Sequence, residues 1–230
     1  MKVLGVKQFH QKTFKLLDLS QSKFQPVMGD VPLFFVCVVY GYSGNGKTEF
    51  CMQLAKEFTQ YGKVAWFSYE QRHGYDLQQA TLRNDMEQQS GNFLIIDPLE
   101  SIKEGVSLLE DLDNYLKKRN SPDFIFIDSW DYTNFTFSDY KFLKLKYGNK
   151  KTFVMISHSS KNGILRKKVS DDIVFDGGMG VLVRDFIAEP IKNRFGGFEP
   201  YVVFDKKARE RNPAFFAKQV KDEKPKRKKA

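Results

Sequence analysis

The clearest chemistry in the chain lies between Val36 and Thr48, which read Val-Cys-Val-Val-Tyr-Gly-Tyr-Ser-Gly-Asn-Gly-Lys-Thr. The spacing Gly41-x-x-x-x-Gly46-Lys47-Thr48 follows an apolar, β-branched run from Leu33 to Tyr40 and precedes a helix-type pattern. That strand–loop–helix order is the setting in which such a loop wraps phosphate. Glycine lets the backbone N–H groups of the loop Gly41, Tyr42, Ser43, Gly44, Asn45, Gly46 turn inward without Cβ clashes. The helix that follows aims its positive end at the same anion. Lys47 then reaches the β- and γ-phosphates, and the Thr48 hydroxyl holds Mg²⁺. A glycine-rich turn that binds nothing is the bland alternative, and spacing and context together argue against it. A nucleoside triphosphate with Mg²⁺ is the expected ligand.

Asp128 closes the apolar run Phe124-Ile125-Phe126-Ile127, the form of a Walker B strand whose carboxylate holds the metal opposite Thr48. Glu70 sits just past a second predicted strand, where a carboxylate can polarise an attacking water; an exposed strand-end glutamate is the competing reading. His158 ends a further strand, Ile156-Ser157-His158, placed to sense a γ-phosphate by a hydrogen bond or simply to lie on a surface loop. Lys161, Arg166, Lys167 and Lys168 crowd the next loop, either as a grip on a nucleic-acid backbone or as a solvated face. In Lys192-Asn193-Arg194-Phe195-Gly196, Lys192 and Arg194 lie two apart on an extended segment and project to one side. They can present charge to a neighbouring subunit's triphosphate, or belong to an ordinary hairpin turn.

These groups need a scaffold that aligns strand ends. From Leu33 the chain alternates predicted strands and helices, which specifies an α/β fold with a mostly parallel sheet flanked by helices. Strands are expected at 33–40, 63–69, 93–96, 123–128 and 152–157, with helices at 47–61, 77–88, 103–118 and 138–147, the last N-capped by Ser138. Shorter, hairpin-linked strands at 173–175, 181–187 and 201–204 complete the sheet with antiparallel C-terminal strands. Residues 1–30 form a lead-in, with Phe14, Leu16, Leu17 and Phe24 as packing contacts, 31–205 the single domain, and 206–230 a basic, largely disordered tail. The 230 residues are 41% apolar and include 22 Phe, enough for a substantial core. The net charge of +9 is almost all in the tail: from Lys206 onward, eight Lys and three Arg stand against Glu210, Asp222 and Glu223, a net of +8. Such a tail either contacts nucleic-acid phosphates or keeps the chain soluble. Two cysteines, Cys37 and Cys51, read as buried thiols in a reducing cytoplasm, and neither a signal peptide nor a membrane span is expected.

The succession of phosphate loop, Glu70, Asp128, His158 and Lys192-Asn193-Arg194-Phe195-Gly196 resembles the RecA-like ATPases of the RadA and DnaB branch, including small stand-alone members of phage and mobile elements. The likeness runs from about Leu33 to Phe204 and implies a RecA fold assembling side by side into a ring or filament, with ATP at the interfaces. It implies that Glu70 is the catalytic base, Asp128 the Walker B acid and His158 the γ-phosphate sensor, with Lys192 and Arg194 acting in trans. The loops after Asp128 and His158 would line a channel for single-stranded DNA. RadA's four-cysteine zinc finger and protease-like domain, and DnaB's collar and linker helix, are missing from this sequence, and Gln71-Arg72-His73-Gly74 departs from RadA's paired acids. The expected activity is ATP hydrolysis in DNA metabolism, stimulated by DNA. An ATP-switched regulatory or adaptor protein with little turnover is the alternative, and a small-molecule kinase on the same loop a more distant one.

Overall fold

The β-branched and aromatic runs form the strands of one sheet, and the amphipathic stretches between them cover its two faces. A computed structural model of the chain describes residues 1–100 and 102–222. The first half comprises α1 (Val6–His10), α2 (Gln25–Met28), β1 (Val36–Gly41), α3 (Lys47–Phe58), β2 (Val64–Ser68), α4 (Tyr75–Arg83), β3 (Phe93–Ile96), α5 (Leu108–Leu116) and β4 (Phe124–Asp128). The second comprises α6 (Trp130–Thr133), α7 (Phe137–Tyr147), β5 (Thr152–His158), α8 (Lys168–Asp176), β6 (Met179–Arg184), β7 (Ile187–Asn193), β8 (Tyr201–Val202), α9 (Asp205–Arg211) and α10 (Pro213–Asp222).

The eight strands lie in the order β3-β2-β4-β5-β1-β6-β7-β8. Strands β1 to β6 run parallel, and β7 and β8 add antiparallel at one edge. Strands covered on both faces need apolar residues at every position rather than alternate ones. In β1, Cys37 and Val39 join a core with α3, α4 and the amino-terminal segment, while Val36, Val38 and Tyr40 join the core beneath α5, α7 and α8. Aromatic rings dominate the first core: Phe58 stacks on Phe124 with centroids 4.7 Å apart, and Trp66 on Phe126 at 5.5 Å.

Several expectations are corrected. The residues 173–175 lie inside α8, because Val169 and Ile173, four apart, pack as a helical stripe on the second core. The expected strand 181–187 is broken by Asp185 and Phe186, both at positive φ (51° and 61°), which makes the tight turn between β6 and β7. Helix α5 starts only at Leu108, where the Ser107 hydroxyl accepts the Glu110 N–H. The cap of α7 is Thr136, not Ser138, in a reciprocal capping box with Asp139. In the lead-in, Leu17 and Phe24 are buried as expected, but Phe14 and Leu16 are exposed.

The segment 206–222, assigned to a disordered tail, contains α9 and α10. Phe215 and Phe216 pack against the first core, and the Arg209 guanidinium lies 4.2 Å from the Phe216 ring centre. Those apolar anchors outweigh the local charge. Residues 223–230 of that expected tail lie outside the described residues. Among the described residues, no helix is long and apolar enough to cross a membrane.

Candidate functional site

Strand order decides which side chains meet. The consecutive neighbours β2, β4, β5 and β1 deliver Glu70, Asp128, His158 and the phosphate loop to one carboxyl edge. Register aligns Ser68 with Asp128, Asp128 with Ile156, and His158 with Gly41. Ligand sites in parallel α/β sheets lie at this edge. Glu70, Asp128 and His158 line a cavity of about 790 Å³, with Ser43, Gly44, Gly46, Lys47 and Thr48 forming its phosphate-loop wall.

The loop conformation depends on glycine at particular points. Gly44 and Gly46 have φ of +74° and +94°, a region that side chains resist. A Cβ on Gly41 would lie 2.1 Å from the Val183 carbonyl oxygen, and one on Gly46 would lie 2.7 Å from the Phe186 ring. Asn45 ties the loop to the β6–β7 turn, its Oδ1 accepting the Asp185 N–H at 2.8 Å. Lys47 is buried and donates to the Tyr42 carbonyl at 3.3 Å. Burial lowers the Lys47 pKa, against the raising effect of the Glu70 and Asp128 carboxylates.

Asp128 is buried, and its Oδ2 has no hydrogen-bond partner. Burial, followed by the charge of Glu70, pushes the Asp128 carboxyl up to about 7 in spite of Lys47. An orphaned carboxylate oxygen and the partly buried Thr48, on the lining of the same cavity, are a donor set that fits a divalent cation, which would hold Asp128 ionised. The Asp128 carbonyl also accepts the N–H groups of Tyr69 (2.6 Å) and Glu70 (3.0 Å), fixing the turn that carries Glu70.

The Glu70 carboxylate meets His158, Oε2 to Nε2, at 2.9 Å. Burial acts to raise the Glu70 pKa, but the hydrogen bond and charge of His158, with Lys47, leave the carboxyl below its usual range. Asp131, which no motif in the sequence signals, accepts the His158 N–H at 2.6 Å and takes Lys167 Nζ on its carbonyl. Phe186 against Gly46 and Arg211, whose Nη1 donates to the Gly44 carbonyl at 3.1 Å, also lack any local signature.

Lys192 and Arg194 are not in this cavity. Lys192 pairs with Gly180 and donates through Nζ to the carbonyls of Val174 (2.8 Å), Phe175 and Gly177 (2.9 Å) at the end of α8. Asn193 clamps the carbonyls of Val27, Met28 and Gly197, at 3.2, 2.9 and 2.6 Å. Arg194 is exposed. Of the basic loop, Lys161, Arg166 and Lys168 are all exposed, Lys168 pairing on the surface with Asp171 and Asp172.

No protein-family model matches the chain, and no curated protein matches it in sequence. Among solved structures 409 chains match. One is the crystal structure of flagellar accessory protein FlaH from Methanocaldococcus jannaschii, with a TM-score of 0.56 and 18% identity over 81% of this chain and 92% of that one. The likeness concerns the fold, and the architecture is RecA-like: a mostly parallel sheet between helical layers, with antiparallel carboxyl-terminal strands.

Proposed function

We propose that this chain binds Mg²⁺-ATP and hydrolyses it, in the service of DNA metabolism. The observation that carries the reading is the convergence of Lys47, Thr48, Glu70, Asp128 and His158 on one cavity. The loop N–H groups and Lys47 bind and orient the triphosphate, and Thr48 and Asp128 would hold the metal. Mg²⁺, when bound, offsets charge on the phosphate oxygens. Glu70, ionised and held by His158, orients the attacking water and accepts its proton. His158 is placed to exchange that contact for one with the γ-phosphate.

The RadA/DnaB branch rests on the Lys192–Gly196 motif in the sequence, and with it assembly into a ring or filament. Within that assembly Arg194 is the residue that reaches a neighbour's nucleotide, since Lys192 is committed to α8. Single-stranded DNA is the partner proposed for Lys161, Arg166 and the basic C-terminal residues. A second reading, an ATP-gated adaptor with slow turnover, is favoured by the engagement of Lys167 with the Asp131 carbonyl, which takes one cation of the basic loop away from a nucleic-acid partner. That a similar fold serves as a flagellar accessory protein also supports it.

Measuring ATP hydrolysis with and without single-stranded DNA, beside Lys47→Ala, separates the readings. Stimulation by DNA that Lys47→Ala abolishes supports the DNA-linked ATPase. Tight ATP binding with negligible turnover, indifferent to DNA, supports the adaptor and refutes the motor.

A further inference from the structure

Behind the phosphate loop lies a second, smaller cavity of about 290 Å³. Its walls come from segments far apart in sequence: Tyr42 and Ser43 of the loop, Ser160 and Lys161 after β5, Arg184 at the end of β6, and Arg211 at the end of α9. The cations Lys161, Arg184 and Arg211 share this lining with one carboxylate, Asp185. Among the described residues, none of the three forms an ion pair.

Each of these exposed cations makes a contact within the chain. Arg184 Nη2 donates to the Asn162 carbonyl at 3.2 Å, and Arg211 Nη1 to the Gly44 carbonyl at 3.1 Å. Lys161 Nζ lies 5.7 Å from the centre of the Tyr42 ring. Gly163 makes room for Arg184: its φ is +81°, and a Cβ there would come within 2.6 Å of Nη2. Lys161, Arg184 and Arg211 are all exposed, and with no carboxylate of the described residues within ion-pairing distance of them they attract an anion, most strongly at low salt.

We propose that this cavity binds a phosphate group, distinct from the phosphates of the nucleotide at the main site. Guanidinium forks match phosphate oxygens, and the Ser43 hydroxyl adds a donor. The volume lies at the lower limit of roughly 300 Å³ for small-molecule sites, so the cavity takes the phosphate end of a ligand rather than a whole nucleotide. That phosphate comes either from a nucleic-acid backbone or from a free phosphorylated compound. Either would press on the loop that binds ATP, because Tyr42 and Ser43 are its wall and Asn45 couples them to the β6–β7 turn.

The test is calorimetric titration of pyrophosphate into the full chain saturated with a non-hydrolysable ATP analogue, at low salt. One further equivalent is expected to bind, with affinity falling about tenfold or more in Arg184→Ala and in Lys161→Ala, as loss of a charge-assisted bond implies. Arg184→Lys restores part of it, and analogue affinity in Arg184→Ala stays unchanged. An oligothymidylate that competes with pyrophosphate assigns the site to a strand backbone. An oligothymidylate that does not compete assigns it to a free phosphate compound. No binding to the saturated protein, or binding unaltered in both alanine variants, overturns the proposal. Should the analogue itself not bind, the proposed ATP function fails separately. Pyrophosphate is then titrated into Lys47→Ala, where an equivalent lost on adding Arg184→Ala still supports the second site.

Discussion

Replacing Lys192 by Met separates two roles that the sequence presents as one. As a pair on an extended segment, Lys192 and Arg194 are equivalent candidates for reaching a neighbouring subunit. In the fold, the Lys192 ammonium closes the carboxyl end of α8 by donating to the carbonyls of Val174, Phe175 and Gly177, in the turn where a helix leaves its carbonyls without intrahelical donors. Burial, then the charge of nearby Arg194, lowers its pKa, as befits an ammonium withdrawn from water. A hydrogen bond from a charged donor contributes about 1.5–3 kcal/mol, and a cation at a helix end about 0.3–1 kcal/mol. Three bonds to one half-buried ammonium do not add, so the expected loss is about 2 kcal/mol. Methionine keeps most of the apolar stem, which isolates the charge. With a urea m-value of about 3 kcal/mol/M, the unfolding midpoint falls by about 0.7 M. Arg194→Ala, at an exposed position, shifts stability by no more than about 0.5 kcal/mol and reduces only the turnover of assembled protein. Urea unfolding followed by circular dichroism reads both. A midpoint for Lys192→Met within 0.1–0.2 M of wild type, by this m-value a change under about 0.6 kcal/mol, refutes the capping argument.

Gly46→Ala combines a left-handed φ of +94° with a Cβ 2.7 Å from the Phe186 ring, so it loses nucleotide binding and about 2–4 kcal/mol of stability, measured by calorimetry and urea unfolding. Asp176 accepts Tyr140, Lys141 and Lys144; burial acts to raise its pKa, but those bonds hold it well below the carboxylate range. Its folded pKa is depressed, so its contribution is full above about pH 5 and declines as pH falls below the ordinary value of about 3.9. The stability gap between wild type and Asp176→Asn therefore narrows in unfolding curves taken from pH 7 down to pH 3. Phe216→Ala frees the half-buried ring under Arg209 and costs about 1–2 kcal/mol by area, and an unchanged midpoint would deny that α10 docks on the core.

What the sequence reveals of this site divides by locality. The phosphate loop is legible because Gly41, Gly46, Lys47 and Thr48 act through spacing within one turn. Asp128 is legible because a strand buried on both faces must end its apolar run on the first polar residue. The pairing of Glu70 with His158 is not, since it depends on β4 lying between β2 and β5, which no local pattern specifies. Asp131 and Phe186 are likewise silent: one is an acid on a short helix, the other an aromatic in a turn, and only assembly gives them partners. Toward the carboxyl end, charge misleads. Lys and Arg dominate 206–222, yet Ala208, Phe215 and Phe216 supply the apolar face that holds α9 and α10. The residues 173–175 mislead in the opposite sense, as three apolar neighbours that suggest a strand while Val169 and Ile173 set a helical period.

Single-turnover hydrolysis of ATP by the full chain with Mg²⁺, beside Glu70→Gln, decides whether Glu70 drives turnover. Wild type is expected to convert bound ATP to ADP and phosphate. Glu70→Gln should retain ATP affinity and slow that step by about 10²–10⁴, the range of a lost general base. A wild-type chain that binds ATP without converting it, or a Glu70→Gln chain that matches wild type, contradicts the assignment of Glu70 as the base.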